Sequence, residues 1–424
     1  MMPVLQTEVP GPRSRDLARK LREYESQNVT YVSEDWPVFW ERADGYNIWD
    51  VDGNRFVDLT SAFGVAGLGH TRAEVIQAMH EQSRHLIHGM GDVHPTEVKA
   101  QLCEKLSKIT WGRWSDSRAK VVLANSGFEA VETALKTALL HTGQEQVLSF
   151  QNAYHGLGYG ALMSSGIEKF RAPFAGHLAD VRITLPYPKS SLDEFRAGLE
   201  SLSPEKIGAC LVEPIQGRGG KIVPPNGFLK LLREWCDQHG ILLIFDEIYT
   251  GFNRTGHLFA CEHEGVIPDL ICMGKAMSGG FPISATVGAA EVMDSWPESP
   301  GEALHTSTFL GNPVGCAMAL KAIDLHLDPQ VAKNVERLGE WLMRELRESS
   351  FFNEVRGRGL MIGAELRDGI SGGAVLNALL KRGYLMLADG PEGNVLAFTP
   401  PFTITKGELT RLLEVLDEVL TELA

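Results

Sequence analysis

A lysine that follows an apolar run loses part of its hydration, and with it part of its hold on a proton. Lys275 is such a lysine. It follows Leu270 to Met273 in PDLICMGKAMSGG and precedes the break at Gly279 and Gly280. An amine of this kind is a nucleophile that condenses with aldehydes. Asp246 lies upstream in ILLIFDEIYTGF. A buried carboxylate is the partner that keeps a pyridine-type nitrogen protonated. The pair points to covalent capture of a ring aldehyde.

Such side chains need strands and helices to bring them together. Short apolar runs at Val121–Leu123, Val147–Phe150, Ile207–Val212, Leu242–Phe245 and Leu270–Met273 read as buried strands. Phe128–Leu140 and Phe228–His239 read as helices between them, and Gly240 stands where a C-cap belongs. Strands alternating with helices imply a mostly parallel sheet covered on both faces. YNIWDVDGNRFVDL, over Asn47–Leu59, reads as a hairpin turning at Asp52-Gly53. Val331–Glu348 and Glu408–Leu423 read as amphipathic helices, with VRGRGLMIGAEL between them as a strand led in by glycines. The expected fold class is α/β: a large domain over residues 71–322, and a small α+β domain built from both chain ends, residues 1–70 and 323–424.

Other motifs fall at the ends of the expected strands. Asn125-Ser126-Gly127 marks a strand handing over to a helix start, where free N–H groups and the helix dipole suit a phosphate. Tyr154-His155-Gly156 follows Val147–Phe150, and a tyrosine there is able to lie flat on a planar ring. Glu213-Pro214 ends a further strand. The Asp246-Glu247 pair also resembles a Mg²⁺ site of the Walker-B kind, but the chain has no GxxxxGK[ST] loop to accompany it. A phosphate cradle, an aromatic face, a carboxylate and a lysine on one sheet edge match the parts of a pyridoxal phosphate site.

Composition is consistent with an enzyme. The 424 residues are 44% hydrophobic and 22% charged, enough for a sizeable core. A net charge of −14 argues against a nucleic-acid partner. No apolar run approaches the roughly 18 residues of a membrane span, and the first residues lack the apolar core of a secretory signal. Six scattered cysteines without a CxxC pair read as reduced thiols of a cytoplasmic protein. No metal site is expected.

From Pro37 to the C-terminus the chain resembles the class III (ω-) aminotransferases of the fold-type I pyridoxal phosphate enzymes. The resemblance is carried by DVDGNRFVDL, GLGH at Gly67–His70, NSGFEAVETALK, YHG, EPIQGRGG, LLIFDEIYTGFNRTG, PDLICMGKAMSGGFP, HTSTFLGNP and VRGRGLMIGAEL. It implies that Lys275 holds the cofactor as a Schiff base and shuttles protons, and that Asp246 pairs with the ring nitrogen. It implies phosphate contacts from Ser126, Gly127 and the Phe128 amide. Tyr154 and Ile248 would cover the two ring faces, with His155, Glu213 and Tyr249 close to the cofactor. Thr308, in the H-x-x-T-[FY] stretch, would reach the phosphate of a neighbouring subunit, which implies a homodimer with shared sites. The implied reaction is amino-group transfer by a PLP/PMP ping-pong route. Aminomutases, epimerases and phospholyases on the same scaffold share these motifs, and consumption of a keto acceptor separates them.

The chain departs from the family pattern at several points. Phe128 stands where a small residue or threonine is common, Tyr249 where glutamine is common, and TGFGRTG reads TGFNRTG with Asn253. Many members carry an arginine three residues before the PP pair, gripping the carboxylate of an α-amino or α-keto acid; here the residue is Ala397. Glu213, its expected partner, is retained, and a buried carboxylate without its cation is costly unless replaced. These departures suggest a pocket favouring terminal amines or ω-amino acids, with Arg218 of EPIQGRGG as a substitute grip for a keto acid and Phe63 of TSAFGV lining the pocket.

Overall fold

The computed structural model describes residues 2–33 and 35–424. Its centre is a seven-stranded sheet in the order Ala119–Ala124, Ser284–Ala289, Leu270–Met273, Leu242–Asp246, Ile207–Val212, Gln146–Phe150, Arg182–Leu185. Ser284–Ala289 runs antiparallel to both neighbours, and the remaining pairs are parallel. The five strands expected from apolar runs are all present. Arg182–Leu185 and Ser284–Ala289 were not anticipated. The first has no buried alternation to betray it, and the second, SATVGA, is too small-residued to read as apolar.

Every residue of Ile207–Val212, Leu242–Asp246 and Leu270–Met273 is buried, as expected for strands covered on both faces. The two-residue period of a strand divides them between two cores. Leu243, Phe245, Ile271 and Met273 pack with the Phe228–His239 helix, while Leu242, Ile244, Leu270 and Cys272 pack with the Gly127–Thr142 helix. This parity decides where the next two side chains go. Asp246 continues the series on the Gly127–Thr142 side, and Glu247 falls on the other. Gly240, at φ 67°, closes the Phe228–His239 helix with its N–H on Cys236 O.

Both chain ends build the rest. Asn47–Asp50 and Arg55–Asp58 form the expected hairpin, flanked by Trp40–Asp44 and joined in parallel by Tyr384–Leu385 from far along the chain. VRGRGLMIGAEL is not one strand. It belongs to two, Phe352–Arg358 and Met361–Leu366, paired antiparallel across a turn at Gly359. Gly359 is at φ 53°, a conformation open to glycine, and a Cβ there would lie 2.6 Å from Thr255 C. The helices Pro329–Glu348 and Lys406–Leu423 cover this second sheet through Leu338, Leu342, Leu412 and Leu416.

Arg254 ties the small part to the large one. Fully buried, it donates from Nη1 to Leu360 O (2.9 Å) and Pro400 O (2.7 Å), and from Nη2 to Ser61 Oγ (3.1 Å). Burial lowers its pKa to about 10, so it stays charged at neutral pH. The Asn253 departure also has a local cause. Its backbone is left-handed (φ 66°), a conformation asparagine tolerates in place of glycine, and its side chain donates to His326 O at 2.6 Å. Among the described residues, no helix is long and apolar enough to cross a membrane, and all six cysteines are free thiols.

Gly339, inside the Pro329–Glu348 helix, rests on the hairpin turn, where an added Cβ would lie 2.0 Å from Gly359 O. Gly339→Ala is expected to destabilise the fold by about 1–3 kcal/mol, lowering the thermal midpoint. Gly407→Ala, at a helical position with nothing within 4 Å, should be neutral or stabilising.

Candidate active site

Segments leaving the carboxyl ends of the parallel strands meet at one sheet edge, where open α/β folds bind ligands. They surround a cavity of about 580 Å³. Lys275 and Asp246 line it, together with Gly127, Phe128, Tyr154 and His155. Glu213, Arg218, Ile248 and Tyr249 complete the large-domain side, and Phe63 enters from the small domain.

Lys275 sits one residue past its strand, in a tight turn with φ 47°. Its Nζ lies 4.2 Å from the centre of the Tyr249 ring. Burial lowers the pKa of the amine to about 8; Lys221 and Arg218 push the same way, while Asp246 and Glu213 oppose them. Asp246 Oδ2 is 2.8 Å from His155 Nδ1, and Oδ1 accepts from Ile248 N at 3.1 Å. With a carboxylate as acceptor, His155 donates from Nδ1 and so holds one tautomer. Its buried Nε2 has no partner among the described residues.

Glu247 turns away from the cavity. Its carboxylate accepts from Ala260 N (2.9 Å), Cys261 N (2.8 Å) and the Thr250 hydroxyl. The DE pair therefore does not make a paired-carboxylate metal site, and no cluster of metal-ligating side chains occurs among the described residues.

The Gly127–Thr142 helix points its N-terminus at the cavity. Ser126, the residue before it, does not line the cavity: its N and Oγ bind the Glu129 carboxylate, at 2.8 and 3.2 Å, in a capping box. This differs from the expected phosphate contact, because the cap consumes the hydroxyl. The amides of Gly127 and Phe128, at the first two helical positions, have no intrahelical acceptor. Ile248 sits tightly against the helix start, where a Cβ at Gly127 would come to 3.0 Å from Ile248 Cδ1. The Phe128 ring lies against Gly158, where a Cβ would come within 2.4 Å of ring carbon Cδ2, while a Cβ at Gly156 would meet Phe128 Cβ at 2.4 Å. Gly158 therefore makes room for the ring of the Phe128 departure.

Tyr249 departs in a comparable way. A Cβ at Gly64 or Gly217 would come within 2.5 or 2.6 Å of its ring. Its hydroxyl donates to Thr399 Oγ1 at 3.3 Å, so it is the ring face, more than the hydroxyl, that Tyr249 presents to Lys275. Phe63 is 62% exposed at the cavity mouth and left-handed at φ 62°. It belongs to a run of positive φ from Ser61 to Gly64, a strain of about 1–2 kcal/mol per non-glycine residue. Ser61 anchors the run by donating to Thr399 O at 2.7 Å while accepting from Arg254.

Glu213 is buried, and burial raises its pKa. What replaces the missing cation is a pair of backbone donors, Tyr154 N (2.9 Å) and Gly217 N (2.8 Å). Ala397 lies buried in the Val395–Phe398 strand, paired with Gly363 and Leu387, and does not line the cavity. Sheet pairing there places it in the wall behind Leu387. Arg218 does line the cavity, its guanidinium 5.1 Å from the Tyr154 ring centre and 5.5 Å from that of Phe170. Thr308 is exposed and outside the cavity of this chain. Sequence reasoning missed Leu157 and the Leu387–Asp389 strand, which also line the cavity, and Lys221 behind Asp389. Only the lysine after two glycines in GRGGK gave any signal.

An amine with a pKa of about 8 is mostly protonated at neutral pH and free above it. In the cofactor-free chain, the rate of imine formation with a ring aldehyde, followed by absorbance, is expected to rise with pH and reach half its limit near pH 8. Lys275→Ala should abolish it.

Comparison with known proteins agrees with this geometry. The aminotransferase class-III family model matches residues 29–420. The chain is 36% identical to a 4-aminobutyrate aminotransferase of Mycobacterium leprae, over 98% of this chain and 97% of that one. It is also 36% identical to an acetylornithine aminotransferase of Methanopyrus kandleri, over 91% and 95%. The ornithine aminotransferase of Toxoplasma gondii, solved with PLP at partial occupancy in its active site, superposes with a TM-score of 0.85 at 32% identity, covering 96% of this chain and 94% of that one. The donor set suits PLP: an amine able to condense with an aldehyde, a carboxylate able to face a pyridinium, and free helix-start amides able to receive a phosphate. By sequence, fold and cofactor chemistry, the chain belongs to the class III aminotransferases, PLP-dependent enzymes of fold type I.

Proposed function

We propose that this aminotransferase takes its amino group from a terminal amine, an ω-amino acid or a primary amine, and delivers it to a keto acid. The observation that carries this reading is the cavity wall. It is apolar at Phe63, Phe128, Leu157 and Leu387, and the position where a carboxylate-gripping arginine is common is Ala397, buried behind Leu387, so no arginine from that strand holds a carboxylate next to the reacting carbon. Arg218 offers a cation instead. The relatives named for 4-aminobutyrate and acetylornithine support the same class of donor.

Bound PLP supplies an electrophilic carbon and a protonated ring that withdraws electrons from the substrate. Lys275 would hold the cofactor and would be the base nearest the reacting carbon; its lowered pKa leaves the amine able to accept a proton near neutral pH. Asp246 would face the ring nitrogen and favour its protonated form, and His155 holds the Asp246 carboxylate in place. The Gly127 and Phe128 amides would receive the phosphate. Tyr154 and Ile248, both on the cavity wall, would hold the ring between them. Glu213, tied to two backbone amides, shapes the wall near Tyr154.

Thr308 completes the phosphate site of a neighbouring subunit. Support for a homodimer comes from its surroundings. Leu304 and Phe309 are exposed, as are Ile87, Met90 and Val93. The two segments are already joined by Asn312 Nδ2 to Ile87 O at 3.0 Å and by the His88–Phe309 ring contact at 5.3 Å. An exposed apolar surface of this kind marks an interaction site. Six free thiols, five of them buried, suit a reducing compartment, and we assign the chain to the cytoplasm.

Steady-state kinetics with 4-aminobutyrate, ornithine, a primary amine and alanine test the donor class. The ω-amine donors are expected to exceed alanine by about tenfold or more in kcat/KM, equivalent to about 1.4 kcal/mol, with parallel double-reciprocal lines and one acceptor consumed per donor. Efficient alanine turnover with an inert amine series would overturn the reading. Thr308→Ala should weaken PLP retention on dialysis while leaving the dimer mass by light scattering unchanged.

A further inference from the structure

Lys221 has no exposed surface. A buried ammonium is costly unless paired, and Asp389 Oδ2 pairs it at 2.7 Å. The ammonium also lies 4.3 Å from the centre of the Tyr249 ring, on which Lys275 also bears, at 4.2 Å. Asp389 itself lines the cavity. The next residue, Gly390, donates from its N–H to Arg218 O at 3.0 Å, and a Cβ on Gly220 would lie 3.5 Å from Gly390 Cα. The segments carrying Arg218 and Asp389 are therefore packed backbone to backbone along one wall.

Two opposite charges so placed would ordinarily pair, because a carboxylate and a guanidinium match in geometry. They do not. Asp389 is taken by Lys221, and Arg218 makes no ion pair among the described residues; its guanidinium rests on aromatic rings. Of these three charges, Lys221 and Asp389 hold each other, Glu213 nearby is tied to the amides of Tyr154 and Gly217, and Arg218 faces the cavity without an ion-pair partner among the described residues.

We propose that Lys221 is a specificity-determining residue: by occupying Asp389 it leaves Arg218 open for the carboxylate of the substrate. The inference rests on the reading of Arg218 as the carboxylate grip. Without the buried ammonium, Asp389 would turn to Arg218, and an incoming carboxylate would have to displace it. With it, the grip is preformed, and acids and simple amines are distinguished at their non-reacting end.

The donor half-reaction of the PLP-loaded enzyme tests this without a keto acid, by bleaching of the cofactor band with 4-aminobutyrate or 1-aminobutane. Lys221→Met is expected to raise the half-saturating concentration of 4-aminobutyrate roughly tenfold or more relative to that of 1-aminobutane, the loss of one charge-assisted contact, while any effect passed through Lys275 is common to both donors. Adding Asp389→Asn to Lys221→Met should bring the 4-aminobutyrate value back toward the parent's, since the competing anion is gone. Equal losses for both donors in Lys221→Met would overturn the proposal and mark Lys221 as structural. If that single variant does not fold, the double variant, which buries no unpaired charge, decides: loss of the preference for the acid there would equally overturn it. Arg218→Met separates the two levels. No acid-selective change in Arg218→Met sinks the grip itself, whereas an acid-selective change there without one in Lys221→Met sinks only the role of Lys221.

Discussion

An amine must stand beside carboxylates in this site and still be able to give up its proton. That requirement governs the arrangement around Lys275. Two acids, Asp246 and Glu213, favour its charged form, and burial, with help from Lys221 and Arg218, outweighs them. The acids are prevented from simply pairing with the lysine because each is engaged elsewhere. Asp246 is bound by His155 and the Ile248 amide, Glu213 by the amides of Tyr154 and Gly217. A carboxylate satisfied by fixed donors stays in place.

The same logic extends outward. Tyr249 puts a ring face between two lysines, a stable place for cations that lack full hydration. Its bulk is accommodated by glycines at 64 and 217, and the ring of Phe128 by the glycine at 158. The two bulky departures from the family pattern, Phe128 and Tyr249, are therefore matched by space left at glycines on other segments. These matches are tertiary: neither partner is a sequence neighbour of the residue it admits.

Rigidity at the seam between the two parts of the chain supports this packing. Arg254 binds carbonyls from two small-domain segments and the Ser61 hydroxyl. Ser61 in turn heads the left-handed run that presents Phe63 at the cavity mouth. Strained backbone of this kind persists only where the surroundings over-determine it. The strain thus lies where the small domain meets the catalytic edge of the sheet.

Much was legible in the chain itself, for a definite physical reason. Buried parallel strands are continuous apolar runs, so five central strands and the positions of Lys275, Asp246, Gly127, Tyr154 and Glu213 at their ends followed from local composition and motif order. Strand parity, also local, is what separates Asp246 from Glu247 once both faces are known to be covered. What the chain alone could not decide depends on groups distant in sequence. The hydroxyl of Ser126 was taken by its own cap, Ala397 was turned into a sheet wall by its pairing with Gly363 and Leu387, and VRGRGLMIGAEL was folded back on itself by packing against the Pro329–Glu348 helix. The Lys221–Asp389 pair spans 168 residues, and no local pattern encodes it. Periodicity reports which side of an element is dry; which charges meet in the dry interior is settled only when separate elements pack.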